Sequence, residues 1–213
     1  MQLNFGQWVV IGFCAILIIG YIRGYYYNRQ RAGKILAWLQ EGLRTWGQVT
    51  SGEKLPGMAT GGRLEIKQAV APFRRVEAVF LLAPRENLLF WIFHRLQGKR
   101  DELLLWITLQ SKPEQAVEVA RHGDRQFENR LKAKDKPPLS ILEGLHELKI
   151  ASEEKQGAML AGKVQAFLQK YHSIILRLAL RSDKPHLFLR VDLRVIRSGS
   201  AVDFFAALSD LVR

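Results

Sequence analysis

The sequence has almost no cysteine, and its first 22 residues contain no charged side chain and no histidine. Because Cys14 is the only cysteine, a disulfide framework within the chain is excluded, as expected for a domain that faces the reducing cytosol. There is also no N-x-S/T glycosylation sequon, no lipidation motif and no low-complexity tail. The uncharged start is the most informative of these absences, because apolar stretches of this length are typical of membrane segments.

This uncharged stretch predicts one transmembrane helix. Residues 8–22 are apolar throughout, and residues 5–25 reach the roughly 20 residues that a helix needs to cross the hydrocarbon core. Aromatic residues flank the stretch, at positions where their amphipathic rings favour the membrane–water interface. They are Trp8 at one end and Tyr25, Tyr26 and Tyr27 at the other.

Three alternatives compete with a spanning helix. A cleaved signal peptide normally has a positively charged start and small residues at the cleavage site, and residues 1–27 offer neither. An interfacial helix needs a charged face, which is missing here. A buried core helix is disfavoured because so long an uncharged stretch at the chain end has little to pack against. We therefore expect residues 1–27 to form an uncleaved anchor.

The basic residues beside the span predict its orientation. They all lie on its carboxyl-terminal side and are Arg23, Arg29, Arg31 and Lys34. The positive-inside rule then places the N-terminus outside and the remaining chain in the cytosol. The membrane would be the endoplasmic reticulum in a eukaryote and the plasma membrane in a prokaryote. We expect these cations to lie at the membrane surface, where each contributes on the order of 1 kcal/mol with anionic lipid.

The whole chain carries a formal net charge of +12 and has an isoelectric point near 10.1. Such a charge predicts anionic partners, which are lipid headgroups, nucleic acid or an acidic protein surface. The alternative is that the basic surface only confers solubility or follows the positive-inside bias.

Beyond the anchor, the apolar spacing predicts an α+β protein. Residues 28–49 form an amphipathic pattern that continues from the span, and we expect its apolar stripe to pack on the domain rather than on lipid. Residues 50–63 are rich in Gly, Ser and Pro and predict a linker. Residues 64–213 then predict a cytosolic domain of mostly antiparallel sheet with helices layered on it.

Within that domain, periodicity and turn residues predict the individual elements. Strands are expected at residues 64–70, 74–82, 103–110, 115–121, 174–181 and 187–196. Helices are expected at residues 84–97, 124–133, 139–145, 152–171 and 203–213. The strands at 103–110 and 115–121 are predicted to pair with each other, as are those at 174–181 and 187–196.

No motif in the sequence predicts catalysis, a cofactor or a metal. The five histidines lack metal-site spacing, and the glycines at 57–62 lack the lysine and hydroxyl of a phosphate-binding loop. Ser51 and Lys54 match S-x-x-K, but the companion motifs are missing, so we interpret the match as chance. We expect a protein that is not an enzyme, with an enzyme of unrecognised motif as the remaining alternative.

Two groups of basic side chains are candidates for binding an anionic partner. The first surrounds the predicted helix at 124–133 and comprises Arg121, Arg125, Arg130, Lys132, Lys134 and Lys136. The second comprises Arg74, Arg75, Arg95, Lys99 and Arg100. Only Phe127 supplies an aromatic ring near the first group, so contact with phosphates is favoured over stacking on bases.

Seven short motifs follow one another along the chain. They are Asn28-Arg29, Ala37-Trp38, Gly62-Arg63, Arg85-Glu86-Asn87-Leu88-Leu89, Leu139-Ser140-Ile141-Leu142-Glu143, Phe167-Leu168-Gln169-Lys170-Tyr171 and Arg181-Ser182-Asp183-Lys184. Their order, rather than any single motif, resembles the calumin-like family of coiled-coil-containing membrane proteins of the endoplasmic reticulum. The resemblance runs from the span over nearly the whole chain. It implies membership of the PAT complex, which works beside the Sec translocon during insertion of multipass membrane proteins, and it implies no catalytic residues.

Two departures from that family limit what the resemblance implies. The family's acidic luminal segment, associated with calcium binding, has no counterpart before the span, so calcium binding is not expected. Its long basic coiled coil, which approaches the ribosome, has no counterpart after the last predicted helix. The chain would be a minimal form of the family, and any ribosome contact would use the basic groups of its domain.

The sequence therefore favours a membrane-anchored scaffold whose domain binds translocon or membrane-insertion proteins. One alternative is a membrane-tethered protein that binds the ribosome, RNA or anionic lipid. The other is an enzyme without a recognised motif.

Overall fold

A computed structural model of the chain describes residues 4–54, 61–113, 115–132, 139–145, 147–152, 158–194 and 200–212. Within these residues there are five α-helices and nine β-strands. The helices are α1 (Phe5–Leu43), α2 (Leu88–Leu96), α3 (Arg125–Lys132), α4 (Ala158–Tyr171) and α5 (Ala201–Val212). The strands are β1 (Thr50–Lys54), β2 (Gly61–Ile66), β3 (Phe73–Leu81), β4 (Glu102–Leu109), β5 (Val117–Arg121), β6 (Ser140–Leu145), β7 (Leu148–Ser152), β8 (Ile175–Leu180) and β9 (Leu187–Asp192).

The nine described strands form a single sheet in the order β1-β2-β3-β4-β9-β8-β5-β7-β6. Every neighbouring pair in this order is antiparallel. At its centre Leu105 lies opposite both Ala78 on β3 and Leu189 on β9. The predicted α+β class with a mostly antiparallel sheet is confirmed.

Helix α1 is one uninterrupted helix of 39 residues, about 58 Å long at 1.5 Å per residue. Its start is fixed by a reciprocal cap in which Asn4 Oδ1 accepts from the Gln7 backbone N–H and Gln7 Oε1 accepts from the Asn4 N–H, both at 2.9 Å. A 3₁₀ turn at Arg44–Trp46 follows, and Gly47 has a φ of +144°, which favours glycine. The expected continuation from residues 5–25 into the amphipathic segment is confirmed, although the helix ends at Leu43 rather than near residue 49.

The main core lies between one face of the sheet and a layer of helices. The apolar stripe of α1 is buried there, with Ile35 and Leu39 facing the domain as the sequence predicts. Helices α4 and α5 complete the layer, and the Trp38 ring lies 5.3 Å from the Phe205 ring on α5. At the far end of α1, the Trp46 ring stacks on Phe73 with 4.1 Å between ring centroids.

Helix α3 covers the opposite face of the sheet. Phe127 is buried against Ala120 and Ala151 in a small cluster of its own, whereas Val119 and Ile150 belong to the main core. Since neighbouring residues on a strand point to opposite faces, α3 and the α4–α5 layer lie on different sides of the sheet. The carboxylate of Asp124 accepts from the backbone N–H groups of residues 126 and 127, which confirms the predicted N-cap.

Several sequence predictions about the elements are wrong. Residues 139–145, predicted as a helix, contain strand β6 in a hairpin with β7, because a short apolar run fits either structure and the pairing decides. Strand β5 pairs with β7 and β8 rather than with β4, since the sheet inserts β9 and β8 between them. The predicted linker at 50–63 contains β1 and the start of β2, while residues 55–60 lie outside the described residues.

Other boundaries differ by a few residues. Ser152 ends β7 instead of starting a helix, and α4 is described from Ala158 onward. The helix predicted from residue 84 begins at Leu88, because Asn87 caps it by accepting from the Phe90 N–H at 3.0 Å. The remaining predicted strands and the final helix are confirmed within a few residues, as is the hairpin of β8 and β9.

Candidate membrane interface

The first half of α1 carries large apolar side chains that no other part of the described chain covers. Residues 5–46 contain one helix that is long and apolar enough to cross a membrane, with an 18-residue window of mean hydropathy 2.1 that is not buried. The exposed side chains include Trp8, Ile11, Phe13, Ile16 and Ile19. A continuous exposed apolar surface of this kind is typical of contact with a membrane or with a protein partner.

Aromatic rings gather where this apolar surface ends. The rings of Tyr21 and Tyr25 stack at 6.4 Å, and Tyr26 packs edge-on against Tyr25 at 5.8 Å. The guanidinium of Arg85 lies 5.0 Å from the centre of the Tyr27 ring. Of the predicted interfacial aromatics, the three tyrosines are therefore exposed on α1 at the boundary between its apolar surface and the domain, and Trp8 is exposed near the other end of the helix.

The domain meets α1 at Gly24 and Asn28. A Cβ on Gly24 would overlap the Arg85 backbone carbonyl, so only glycine allows this approach. Asn28 is buried, and its Nδ2 donates to the Ala83 carbonyl and to Glu86 Oε2, each at 2.9 Å. Its Oδ1 accepts from Arg85 Nη1 at 3.0 Å. These contacts join the helix to the connection between β3 and β4.

A buried ionic group, called here the Asp101 cluster, consists of Asp101, Asn28, Arg31 and Arg85. The Asp101 side chain is fully buried and accepts from Arg31 Nε at 2.6 Å. Arg85 donates to both carboxylate oxygens at 3.0 Å, and the Ala83 N–H donates to Oδ1 at 2.9 Å. Such short, charge-assisted bonds hold the partners in one geometry. The cluster therefore fixes the orientation of α1 relative to the sheet.

The predicted membrane-surface cations do not share one environment. Arg23, Arg29 and Lys34 are exposed, whereas the Arg31 side chain is only 13% exposed and is bound to Asp101. Arg31 Nη2 also donates to the Leu193 carbonyl at 3.2 Å. Arg31 therefore holds the domain on α1, while the other three remain predicted lipid contacts.

The candidate residues for an anionic partner also divide. Arg125 and Lys132 are exposed on α3, but Arg121 donates to the Ser173 and Ile175 carbonyls. Arg130 is 10% exposed and lies 3.6 Å from Glu118. Lys134 and Lys136 lie outside the described residues. In the second group, Arg75 pairs with Glu65 and Arg100 pairs with Asp192.

A second buried ionic group was missed by sequence reasoning. The Glu118 side chain is fully buried on β5, where it accepts from Arg181 Nε at 2.9 Å and from Arg177 Nη2 at 3.2 Å. Arg177 also donates to Gln126 Oε1 on α3 at 2.6 Å. The signal in the sequence was a charged residue within an otherwise apolar strand, Glu118 in β5 and Arg177 in β8. Such a charge requires an ionic partner when helices cover the sheet. This group attaches α3 to the sheet.

His186 is the buried histidine of the described chain. Burial lowers the pKa of His186 below its ordinary value of 6.5, and the nearby charge of Lys184 lowers it further. Its Nδ1 accepts from the Leu109 backbone N–H at 3.0 Å, which requires the unprotonated nitrogen. The ring therefore links the β8–β9 turn to the end of β4.

Two open grooves run beside the domain half of α1. One is lined by Tyr27, Gln30, Arg31, Lys34, Ile35, Trp38 and Leu193, and the other by Ala37, Gln40, Glu41, Arg44, Gly47, Gln48 and Val49. Among the described residues, no group of three or more His, Cys, Asp or Glu is placed to hold a metal ion. No family model matches the chain, and no curated protein matches it.

Proposed function

We propose that this protein is a non-enzymatic scaffold anchored in a membrane by α1. The observation that carries the proposal is that one helix has an unburied apolar half and a half embedded in a folded domain. The apolar half suits a bilayer in length and composition. The embedded half is fixed by the Asp101 cluster, so the domain is held at a set height and direction against the cytosolic surface.

The orientation rests on charge. Arg23 is exposed where the apolar surface of α1 ends, and Arg29 and Lys34 are exposed further along the same helix, so all three lie on the side of the anionic leaflet when the domain is cytosolic. In this arrangement the N-terminus is on the outer or luminal side. The order of motifs that resembles the calumin-like family supports a site of action beside the machinery that inserts multipass membrane proteins.

Carbonate extraction tests the anchor. The full chain is expected to stay in the membrane pellet, and added protease is expected to reach the domain only from the cytosolic side. Ile16→Arg should weaken insertion, because an arginine at the helix centre costs about 2.5–3.5 kcal/mol on insertion scales. The matched control is Gln40→Arg, which adds the same charge at an exposed position on the domain half of the same helix. Release of the unaltered chain by carbonate would contradict the proposal.

Crosslinking in native membranes tests the role beside the insertion machinery. A photo-reactive residue at position 29 or 34, on the exposed side of α1, should capture translocon or insertion proteins. The Ile16→Arg variant, whose insertion is weakened, should give fewer of these products. Recovery of neither translocon nor ribosomal components from the anchored chain would count against this part of the proposal.

A second candidate is a membrane-tethered protein that binds ribosomes or RNA. The exposed cations Arg125 and Lys132 on α3 favour it, because they are accessible to an anionic partner, whereas Arg121 and Arg130 contact groups of the domain. Binding of the detergent-solubilised chain to ribosomes should then fall steeply with salt and weaken in Arg125→Gln/Lys132→Gln. Binding that does not change with salt would exclude this candidate.

A further inference from the structure

Helix α2 lies in an excursion that leaves the sheet and returns to it. Strands β3 and β4 are hairpin partners, with Leu81 opposite Glu102, yet residues 82–101 separate them. Both ends of the excursion are held at α1, since the Asp101 carboxylate binds the Ala83 N–H as well as Arg31. Between these ends the chain extends beyond the sheet and forms α2.

The outward face of α2 is apolar and uncovered. No residue of α2 is buried. Its exposed large side chains are Leu89, Phe90, Ile92, Phe93 and Leu96. Four of these positions recur at three- and four-residue steps and so form one stripe. Outside α1, the other exposed large apolar side chains among the described residues are single and scattered, at Val70, Ile141 and Val202. This face is the second apolar surface of the described chain.

At Leu88, beside the exposed stripe, α2 meets α1 at the end of its apolar half. A Cβ on Gly20 would lie 3.3 Å from Leu88 Cδ2, and Gly24 is in contact with the backbone of residues 85 and 86. As the chain runs from Arg85 to Leu88, its contacts on α1 therefore move from Gly24 to Gly20, toward the apolar end. The first turn of helix α2 thus lies beside the inner end of the proposed span, level with the tyrosines.

We propose that α2 is a second membrane contact, an interfacial helix that buries its apolar stripe in the cytosolic leaflet. The inference rests on the proposed anchoring of α1 and adds a site to it. Interfacial helices bury their apolar face about 5–10 Å into the boundary between headgroups and acyl chains. If Arg23 lies at the interface, Gly20 is about 4–5 Å deeper along the helix axis, so Leu88 beside it lies near the shallow limit of this range.

The charged side chains around α2 also fit contact with a lipid surface. His94 and Arg95 lie in its last turn, Lys99 follows it, and Arg95 lies 5.8 Å from the Trp91 ring. The helix itself, residues 88–96, contains no carboxylate. Cations and an aromatic ring beside an apolar stripe suit anionic headgroups above acyl chains. A protein partner is the competing occupant, but the contact with the end of the span favours lipid.

Fluorescent probes on single cysteines test the proposal in the full chain. The chain is reconstituted into protein-free vesicles of phosphatidylcholine and phosphatidylserine, with quenchers attached to the lipid acyl chains. In a Cys14→Ser background, an environment-sensitive probe is attached at Phe93→Cys or Leu96→Cys. The matched control is Val70→Cys, because Val70 is 60% exposed and Phe93 is 55% exposed. Val70 lies beside Trp46, in the turn after α1 and about 30 Å from the inner end of the span.

Cys14 itself, the only native cysteine and exposed on α1, reports the anchor in the otherwise unaltered chain. We expect a blue shift and lipid quenching at positions 14, 93 and 96, and neither at position 70. Quenching at position 14 without quenching at 93 and 96 would overturn the role of α2 and leave the anchor intact; it would point to a protein partner on this face. Absence of quenching at position 14 would instead overturn the anchoring. Equal quenching at 93 and 70 would show non-specific adsorption and also overturn the inference.

Discussion

The two halves of α1 form one continuous helix but differ in their contacts with the rest of the described chain. Between residues 5 and 22 the helix carries exposed apolar side chains, and an added Cβ at Gly12 would meet nothing within 4 Å. From Gly24 onward one face is packed, and an added Cβ at Gly24 or Gly42 would overlap the domain. Side-chain apolarity alone therefore does not distinguish the halves. What distinguishes them is whether the apolar surface has protein partners.

The largest expected effect breaks the attachment between helix and domain. Asp101→Ala removes the carboxylate and leaves Arg31 and Arg85 close together without their anion, which should lower the free energy of unfolding by about 3–5 kcal/mol. Urea unfolding in detergent, followed by circular dichroism, measures it. Asp210→Ala, at an exposed position on α5, serves as the control and should stay within about 0.5 kcal/mol of the parent chain. Similar small changes in both variants would show that the cluster contributes little.

The next prediction compares equivalent truncations in the two halves. Leu39→Ala opens a cavity in the core and should lower the free energy of unfolding by about 2–5 kcal/mol. Ile16→Ala, on the exposed half, should leave unfolding of the domain in detergent unchanged, since Ile16 has no protein partner to lose. Equal destabilisation by both substitutions would mean that residues 5–22 pack on the domain after all.

Added methyl groups sharpen the same comparison. Gly24→Ala places a Cβ against the Arg85 carbonyl and should cost about 1–3 kcal/mol as the excursion shifts away. Gly12→Ala has free space and serves as the matched control. Thermal unfolding midpoints of the two variants in the same detergent give the comparison. A midpoint for Gly24→Ala at or above that of Gly12→Ala would contradict the close approach.

The smallest expected effect is a pH dependence of stability caused by His186, which lies away from α1. Because the pKa of His186 is lowered in the folded state, the unfolded chain binds this proton more readily. Stability is therefore full above the ordinary pKa of 6.5 and is lost as the pH falls below 6.5 and through the lower pKa of the folded state. His186→Asn places an acceptor oxygen at the position of Nδ1 for the Leu109 N–H and should show a smaller loss of midpoint on acidification. An unchanged pH dependence would assign the effect to other groups.

Local features of this fold were predictable from the sequence, and long-range ones were not. The β8–β9 hairpin and the N-cap at Asp124 depend on neighbouring residues, so their patterns are visible in a single stretch. The Asp101 cluster joins Arg31 to a residue 70 positions away, and no local pattern encodes that distance. Likewise, the pairing of β5 with β8 depends on the order of the whole sheet.

The candidate membrane interface divides in the same way. The apolar run and the tyrosines of α1 were evident from composition, because a membrane segment is a local property of the chain. The exposed stripe of α2 was not evident, because Leu89, Ile92 and Leu96 have the spacing of any core helix. Only the fold reveals that this face has no protein partner in the described chain.

Because α1 is one continuous helix, a tilt of its exposed half also moves its embedded half and the sheet packed on it. No proline or loop separates the exposed half of α1 from the embedded half. The Asp101 cluster holds the embedded half in one orientation on the domain. Helices adapt to bilayers of different thickness by tilting. Under the proposed insertion, a tilt of about 10° would carry Leu43 sideways by about 5 Å relative to Tyr25, at the inner end of the span, and the sheet with it. Bilayer thickness would thereby set where the domain meets its partner.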